Sequence, residues 1–78
     1  MNKNLEKALE FKDKDNEKYV YYLALAADEG DADAQCILAL LYEEGELVPQ
    51  DIEKAIELYT LAAEQGHARA QFNLALIY

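Results

Sequence analysis

Serine and tryptophan are absent from the 78 residues, and histidine, cysteine, methionine and proline occur once each. Without serine no Ser/His/Asp triad can be assembled. With His67 and Cys36 as the sole imidazole and thiol, no plausible Cys/His nucleophile can be assembled either. A single cysteine forms no intrachain disulfide, so nothing points to an oxidising compartment. A single imidazole leaves a transition metal without partners at ligand spacing, and no glycine-rich phosphate loop is present. No apolar run approaches the roughly 18 residues of a membrane span, and no charged-then-apolar leader opens the chain.

Basic residues are scarce beyond residue 18, where Lys54 and Arg69 stand against eleven carboxylates; residues 1–18 balance five lysines with five acids. All of the net charge of −9 therefore lies in residues 19–78. Phosphates would be repelled, which argues against nucleic acid. A basic partner would be drawn in faster, although the same charge also simply keeps a small protein soluble. The expectation is a soluble, cytoplasmic protein with no catalytic residue, metal site or cofactor, and with neither nucleic acid nor membrane as partner.

What the chain does contain is repetition. Leu25–Tyr42 reads LAADEGDADAQCILALLY and Leu61–Tyr78 reads LAAEQGHARAQFNLALIY, an offset of 36 with 11 of 18 pairs identical. Extending back to Asp15 and Asp51 gives 14 identities in 28. Self-similarity at one fixed period marks stacked repeats, in which no unit buries its apolar face alone. A chain this short buries only about 60% of its unfolded surface, so stacking matters for stability.

The spacing predicts five helices. Leu5, Ala8, Leu9 and Lys12 set an amphipathic helix over roughly 3–12. Residues 1–14 carry none of the repeat's signature and read either as an N-terminal capping helix or as a tail. Residues 15–78 form the repeat domain. Asp15 caps a helix that runs to Glu29, with Tyr19, Val20, Tyr22, Leu23 and Ala27 as its apolar face and Gly30 at a left-handed C′ position. Asp31 starts the next helix at once, so the pair must fold as an antiparallel hairpin with Ala34, Leu38, Leu41 and Tyr42 inward. That helix stops near Gly45, and Pro49 forces a turn before Asp51 caps a helix over Ile52–Gln65. Its inward residues are Ala55, Ile56, Tyr59, Ala62 and Ala63, with Lys54 and Leu58 towards solvent; Gly66 ends it. His67 then takes the place of Asp31 as a poorer cap and a surface linker, before a last helix over Ala68–Tyr78.

These residues resemble a Sel1-like repeat, a relative of the tetratricopeptide repeat. The likeness rests on AAEQG at Ala62–Gly66, ADAQ at Ala32–Gln35 with ARAQ at Ala68–Gln71, NLALIY at Asn73–Tyr78, and VPQDIEKAIELY at Val48–Tyr59. It covers residues 15–78, and a period of 36 with the VPQD loop favours Sel1-like over tetratricopeptide repeats. The resemblance implies an all-α fold, an α/α superhelix (solenoid) of helical hairpins, right-handed, with about one and a half to two repeats here. It also implies use as a protein-binding adaptor or scaffold. The family usually places a second glycine where Leu47 stands, so a different loop path is expected. The paired cysteines of the disulfide-stapled bacterial branch are missing, and nothing of that branch carries over.

With Ala34–Tyr42 facing inward, the other edge of that helix carries Asp33, Ile37, Leu40 and Glu44. The matching edge of the second copy carries Arg69, Asn73 and Leu76, with Phe72 beside it. In arrays of this type that edge lines the concave side, so these eight residues form a candidate groove with an apolar floor and an acidic rim. It suits a peptide or helix with basic flanks. The other reading is that Ile37 and Leu40 simply pack under a neighbouring helix, which periodicity cannot separate from a groove. Cys36 reads as a packed thiol. Asp28, Glu29, Asp31 and Asp33 read as a solvated acidic corner rather than a calcium loop, since the alternating oxygens and distal glutamate are missing. The last helix has no successor, which leaves Phe72, Leu74, Ile77 and Tyr78 for self-association, predicting a homodimer through it or exchange of it between protomers. Two function classes stand: an adaptor module, and a small acidic immunity-type inhibitor of a basic toxin or nuclease.

Overall fold

The computed structural model describes residues 1–78. Five helices follow one another without any strand: α1 (Lys3–Phe11), α2 (Asn16–Asp28), α3 (Ala32–Glu44), α4 (Ile52–Glu64) and α5 (Ala68–Ile77). Each starts on a side chain that accepts from the free amides of its first turn. Asp15, Asp31 and Asp51 accept from Lys18, Ala34 and Lys54 N–H at 3.1, 2.8 and 3.1 Å, and Asn2 accepts from Asn4 and Leu5.

The two corners expected from the repeat are built alike. Gly30 and Gly66 adopt φ of 92° and 86°. Around them Asp31 N–H reaches Ala26 O and Gly30 N–H reaches Ala27 O, and 36 residues on His67 and Gly66 donate to Ala62 O and Ala63 O. This double closure satisfies carbonyls that a helix end leaves orphaned, and the left-handed residue it requires favours glycine. The chain therefore reverses twice in the same way, and the all-helical solenoid expected from the period is what forms.

Two apolar clusters share α3 as a common wall. Leu5, Ala8, Tyr19, Leu23, Ala26, Ala27, Ala34, Leu38 and Leu41 join α1, α2 and α3. Cys36, Ala39, Ala55, Tyr59, Ala62 and Ala70 join α3, α4 and α5. Leu58, expected towards solvent, is half-buried and packs against both clusters, because α4 turns it into the seam beside Tyr42. The only buried polar side chain bridges repeats: Gln35 Nε2 donates to Ala27 O (3.2 Å) and its Oε1 accepts from Gln65 Nε2 (3.0 Å).

α1 lies on α2 and contributes two of the first cluster's residues. The Phe11 and Tyr22 rings stack at 5.9 Å with Lys18 and Lys7 over their outer faces. Asn2 and Asn4 donate to the two oxygens of Glu29 at 3.0 and 3.1 Å. Glu29 is the first-copy counterpart of Gln65, so α1 offers α2 the amide contact that Gln35 offers α4.

In the α3–α4 loop Leu47 takes φ of 64°, the left-handed conformation that a glycine would adopt without strain. Loop and helix are tied by Asp51 N–H to Tyr42 O (2.9 Å) and Gln50 Nε2 to Glu43 O (2.9 Å). These bonds hold the loop's path, and Leu47 accepts it.

Candidate functional site

The odd-numbered helices come together on one side of the molecule and leave a groove of about 380 Å³ between them. α1 supplies Leu5 and Leu9, with Met1 just before it; α3 supplies Asp33, Cys36, Ile37 and Leu40; α5 supplies Arg69 and Asn73, with His67 at the corner before it. A second hollow of about 410 Å³ continues it, sharing Leu9, Ile37, Leu40 and Arg69 and extending to Asp13, Glu44, Glu46 and Leu47. Asp33 and Glu44 are eleven positions apart on α3, so the floor is roughly 16 Å long at a 1.5 Å rise per residue.

Six of the eight residues expected there line these hollows: Asp33, Ile37, Leu40, Glu44, Arg69 and Asn73. Phe72 and Leu76 line neither; they stand 65% and 68% exposed on α5. Ile37 serves both readings left open above, since it is half-buried against the first cluster and still lines the groove. Leu40 is half-buried, belongs to neither core cluster, and lines both hollows. Sequence reasoning missed Met1, Leu5, Leu9, Cys36 and His67. The α1 wall escaped because its link to α2 has four residues where the α3–α4 link has seven. Leu5 and Ala8 therefore match Leu38 and Leu41 at an offset of 33, not 36.

Polar groups fix the walls. His67 is not a loose linker: its Nδ1 accepts from Ala70 N–H (3.1 Å), capping α5, and its Nε2 lies 2.8 Å from Asp33 Oδ1. Both contacts are made at once only by the neutral ring with the proton on Nε2. Tyr59, fully buried, donates to Glu43 Oε1 at 2.8 Å, and Asn73 Nδ2 donates to the Tyr59 hydroxyl at 3.4 Å. Asn73 is thus anchored to α4 as well as facing the groove. Burial, then the bond to Glu43, push the Tyr59 hydroxyl far above its ordinary range. Burial also pushes the Cys36 thiol up, and at that sulfur the pull of Arg69 exceeds the opposing push of Asp33. A buried thiol held in its neutral form is packing, not a nucleophile. The acidic corner is likewise occupied by structure: Glu29 holds Asn2 and Asn4, Asp31 caps α3, and Asp33 holds His67.

The residues expected for self-association divide. Leu74 and Ile77 are half-buried against the second cluster, because they repeat Leu38 and Leu41, which face their own hairpin. Tyr78 and Phe72 are exposed, at 86% and 65%. They repeat Tyr42 and Cys36, which pack against α4 in the first copy. The large apolar residues left exposed on α5 and just after it are thus Phe72, Leu76 and Tyr78.

The Sel1 repeat model matches residues 12–31, 32–67 and 68–78. The unit 32–67 frames α3 with α4 and the match from 68 opens on α5, so two of the groove-lining helices open a matched unit, while α1 lies before the first match. No curated protein matches the chain, and no solved structure does. No helix is long and apolar enough to cross a membrane.

Proposed function

The chain belongs to the Sel1 repeat family, whose repeats generally mediate protein–protein interaction, and on that premise we propose that it is a non-enzymatic adaptor or scaffold module. It binds a peptide or helix in the groove between α1, α3 and α5. The observation that carries this reading is where the two copies differ. α3 and α5 differ at four of eleven aligned positions, Asp33/Arg69, Cys36/Phe72, Ile37/Asn73 and Leu41/Ile77. Leu41/Ile77 is a conservative exchange on the inward face and Cys36 is buried in the second cluster, whereas both members of Asp33/Arg69 and of Ile37/Asn73 line the groove. A core face is held by packing, whereas a surface free to vary between copies is free to be fitted to a ligand.

α1 packs over the first cluster as a capping helix, and the exposed residues of the α5 end pair with a second copy. Affinity capture from the native cell, run in parallel with Leu40→Glu, tests the groove. The variant should lose the specific partners, because a carboxylate on the apolar floor is unpaired when covered. Retention of every specific partner by the variant removes the groove assignment.

The acidic charge of residues 19–78 favours one further reading, an immunity-type inhibitor of a basic toxin or nuclease. Neutralising the acidic edge at Asp33, Glu43 and Glu44 would abolish capture of a basic enzyme while leaving an apolar-groove adaptor largely unaffected. Asp33 and Glu43 also hold His67 and Tyr59, so Glu44→Gln is the cleaner first variant.

A further inference from the structure

α3 and α5 are near-copies of one helix, yet only α3 is covered on the side that meets α4. Three contacts mark that cover along its length. Lys54 Nζ stands 5.8 Å over the Tyr42 ring, Tyr59 packs with Cys36 and Ala39 in the second cluster, and Gln65 Nε2 donates to Gln35 Oε1 at 3.0 Å. The counterparts of those four α3 residues, Tyr78, Phe72, Ala75 and Gln71, are all exposed. Gln71 repeats half of the polar bridge: its Nε2 donates to Ala63 O at 3.1 Å, as Gln35 donates to Ala27 O, while its Oε1 meets no donor of the chain. The acceptor that receives Gln65 in the first copy is thus presented and unused in the second.

We propose that this face docks one further helix, supplied by a partner protein, in the way α4 docks on α3. The internal copy dictates the chemistry of that helix. It carries a basic side chain in its first turn over the Tyr78 ring, a small side chain five positions on against Phe72, and a glutamine eleven positions on that donates to Gln71 Oε1. The small residue follows from volume: Tyr59 fits beside the thiol of Cys36, and the Phe72 ring takes up the space a tyrosine would need. The glutamine follows from the unused acceptor, since a glutamate there brings no donor. α2 shows the contrast, for Glu29 stands at the position of Gln65 and is met by donors, Asn2 and Asn4. This rests on the reading of the α5 end as an interface, and it sets a helix in competition with the second copy there.

The test titrates three capped peptides with the sequence of residues 51–67 into the full chain by calorimetry at about 0.15 M salt. One carries Tyr59→Ala, one carries Tyr59→Ala with Gln65→Glu, and one is unchanged. The first should bind at one site. The glutamate peptide should bind about fivefold more weakly for want of the donor, and the unchanged peptide about tenfold more weakly through overpacking. In Gln71→Ala the glutamine and glutamate peptides should bind alike, and Phe72→Lys should bind neither. Circular dichroism of both variants, exposed at these positions, checks the fold. Sedimentation should show the first peptide converting a dimer into monomers that each carry one peptide. The docking is wrong if no peptide binds, if wild type does not prefer glutamine to glutamate or alanine to tyrosine, or if Phe72→Lys still binds; a dimer of the chain alone then stands. If the chain alone is monomeric and the first peptide binds with that order, self-pairing falls and the docking stands.

Discussion

Tyr59→Phe isolates one of the side-chain bonds that tie the second hairpin to the first, beside Gln65–Gln35 and His67–Asp33. The ring is fully buried and stays in place in the variant; only the hydroxyl leaves. That hydroxyl donates to a carboxylate, Glu43 Oε1, at 2.8 Å, while the Asn73 contact at 3.4 Å is long and adds little. Hydrogen bonds to charged groups contribute about 1.5–3 kcal/mol. Glu43 is only half-buried and can recover water once released, so the lower part of that range applies. We expect a loss of about 1–2 kcal/mol, and at about 4–8 °C per kcal/mol for a domain of this size a Tm lower by roughly 5–15 °C. Denaturant unfolding of Tyr59→Phe, Glu43→Ala and the double variant separates the bond from its surroundings, with a coupling of about 1 kcal/mol or more expected. The alkaline limb gives a second signature. The Tyr59 hydroxyl is raised in the folded state above its ordinary value of 10.0, so above that pH the unfolded chain holds fewer protons and stability falls. Tyr59→Phe should flatten that limb, leaving the parts due to Cys36, raised by burial, and Tyr19, raised by burial and then by Asp13. A coupling below about 0.3 kcal/mol, with an unchanged alkaline slope, would refute the keystone role of this bond.

Leu47→Asn places a residue that tolerates left-handed backbone at φ of 64°. Relief of about 1 kcal/mol of strain should offset the loss of a half-exposed leucine, leaving the chemical denaturation midpoint nearly unchanged. His67→Ala removes both the α5 cap and the link to Asp33, and should cost about 1–2 kcal/mol by the same assay. Nitrogen NMR of wild type should show the tautomer protonated on Nε2. Gly66→Ala forces a Cβ onto φ of 86°, where no neighbour blocks it, so its cost should be conformational alone, about 1–2 kcal/mol. Phe72→Lys should leave the fold intact and shift a dimer towards monomer in sedimentation; if wild type is already monomeric at high micromolar concentration, pairing through α5 is wrong.

The period made much of this fold legible. Identical corners at Gly30 and Gly66 follow from identical sequence, and aspartate caps announce three helix starts. What escaped did so for local reasons. The wall from α1 was hidden by a link three residues shorter, which shifts its pattern out of the period of 36. Leu58 looked solvent-facing because a helical wheel knows only one partner, whereas α4 sits in a seam between two clusters. Leu74 and Ile77 looked bare because α5 has no successor, although their first-copy counterparts already named their place inside their own hairpin. His67 was legible as a substitution for a capping aspartate; that its second nitrogen reaches Asp33 depends on how the two corners stack. The face of α3 opposite the core was readable from spacing, but the hollow above it needed α1 and α5 in place.

Backbone amide shifts of the labelled chain, followed while the captured partner is added, address the binding surface most directly. The account predicts changes confined to Leu5 and Leu9 on α1, Ile37, Leu40 and Glu44 on α3, and Arg69 and Asn73 on α5. Changes centred on the outer faces of α2 and α4, at Tyr21, Glu53 and Glu57, would contradict it.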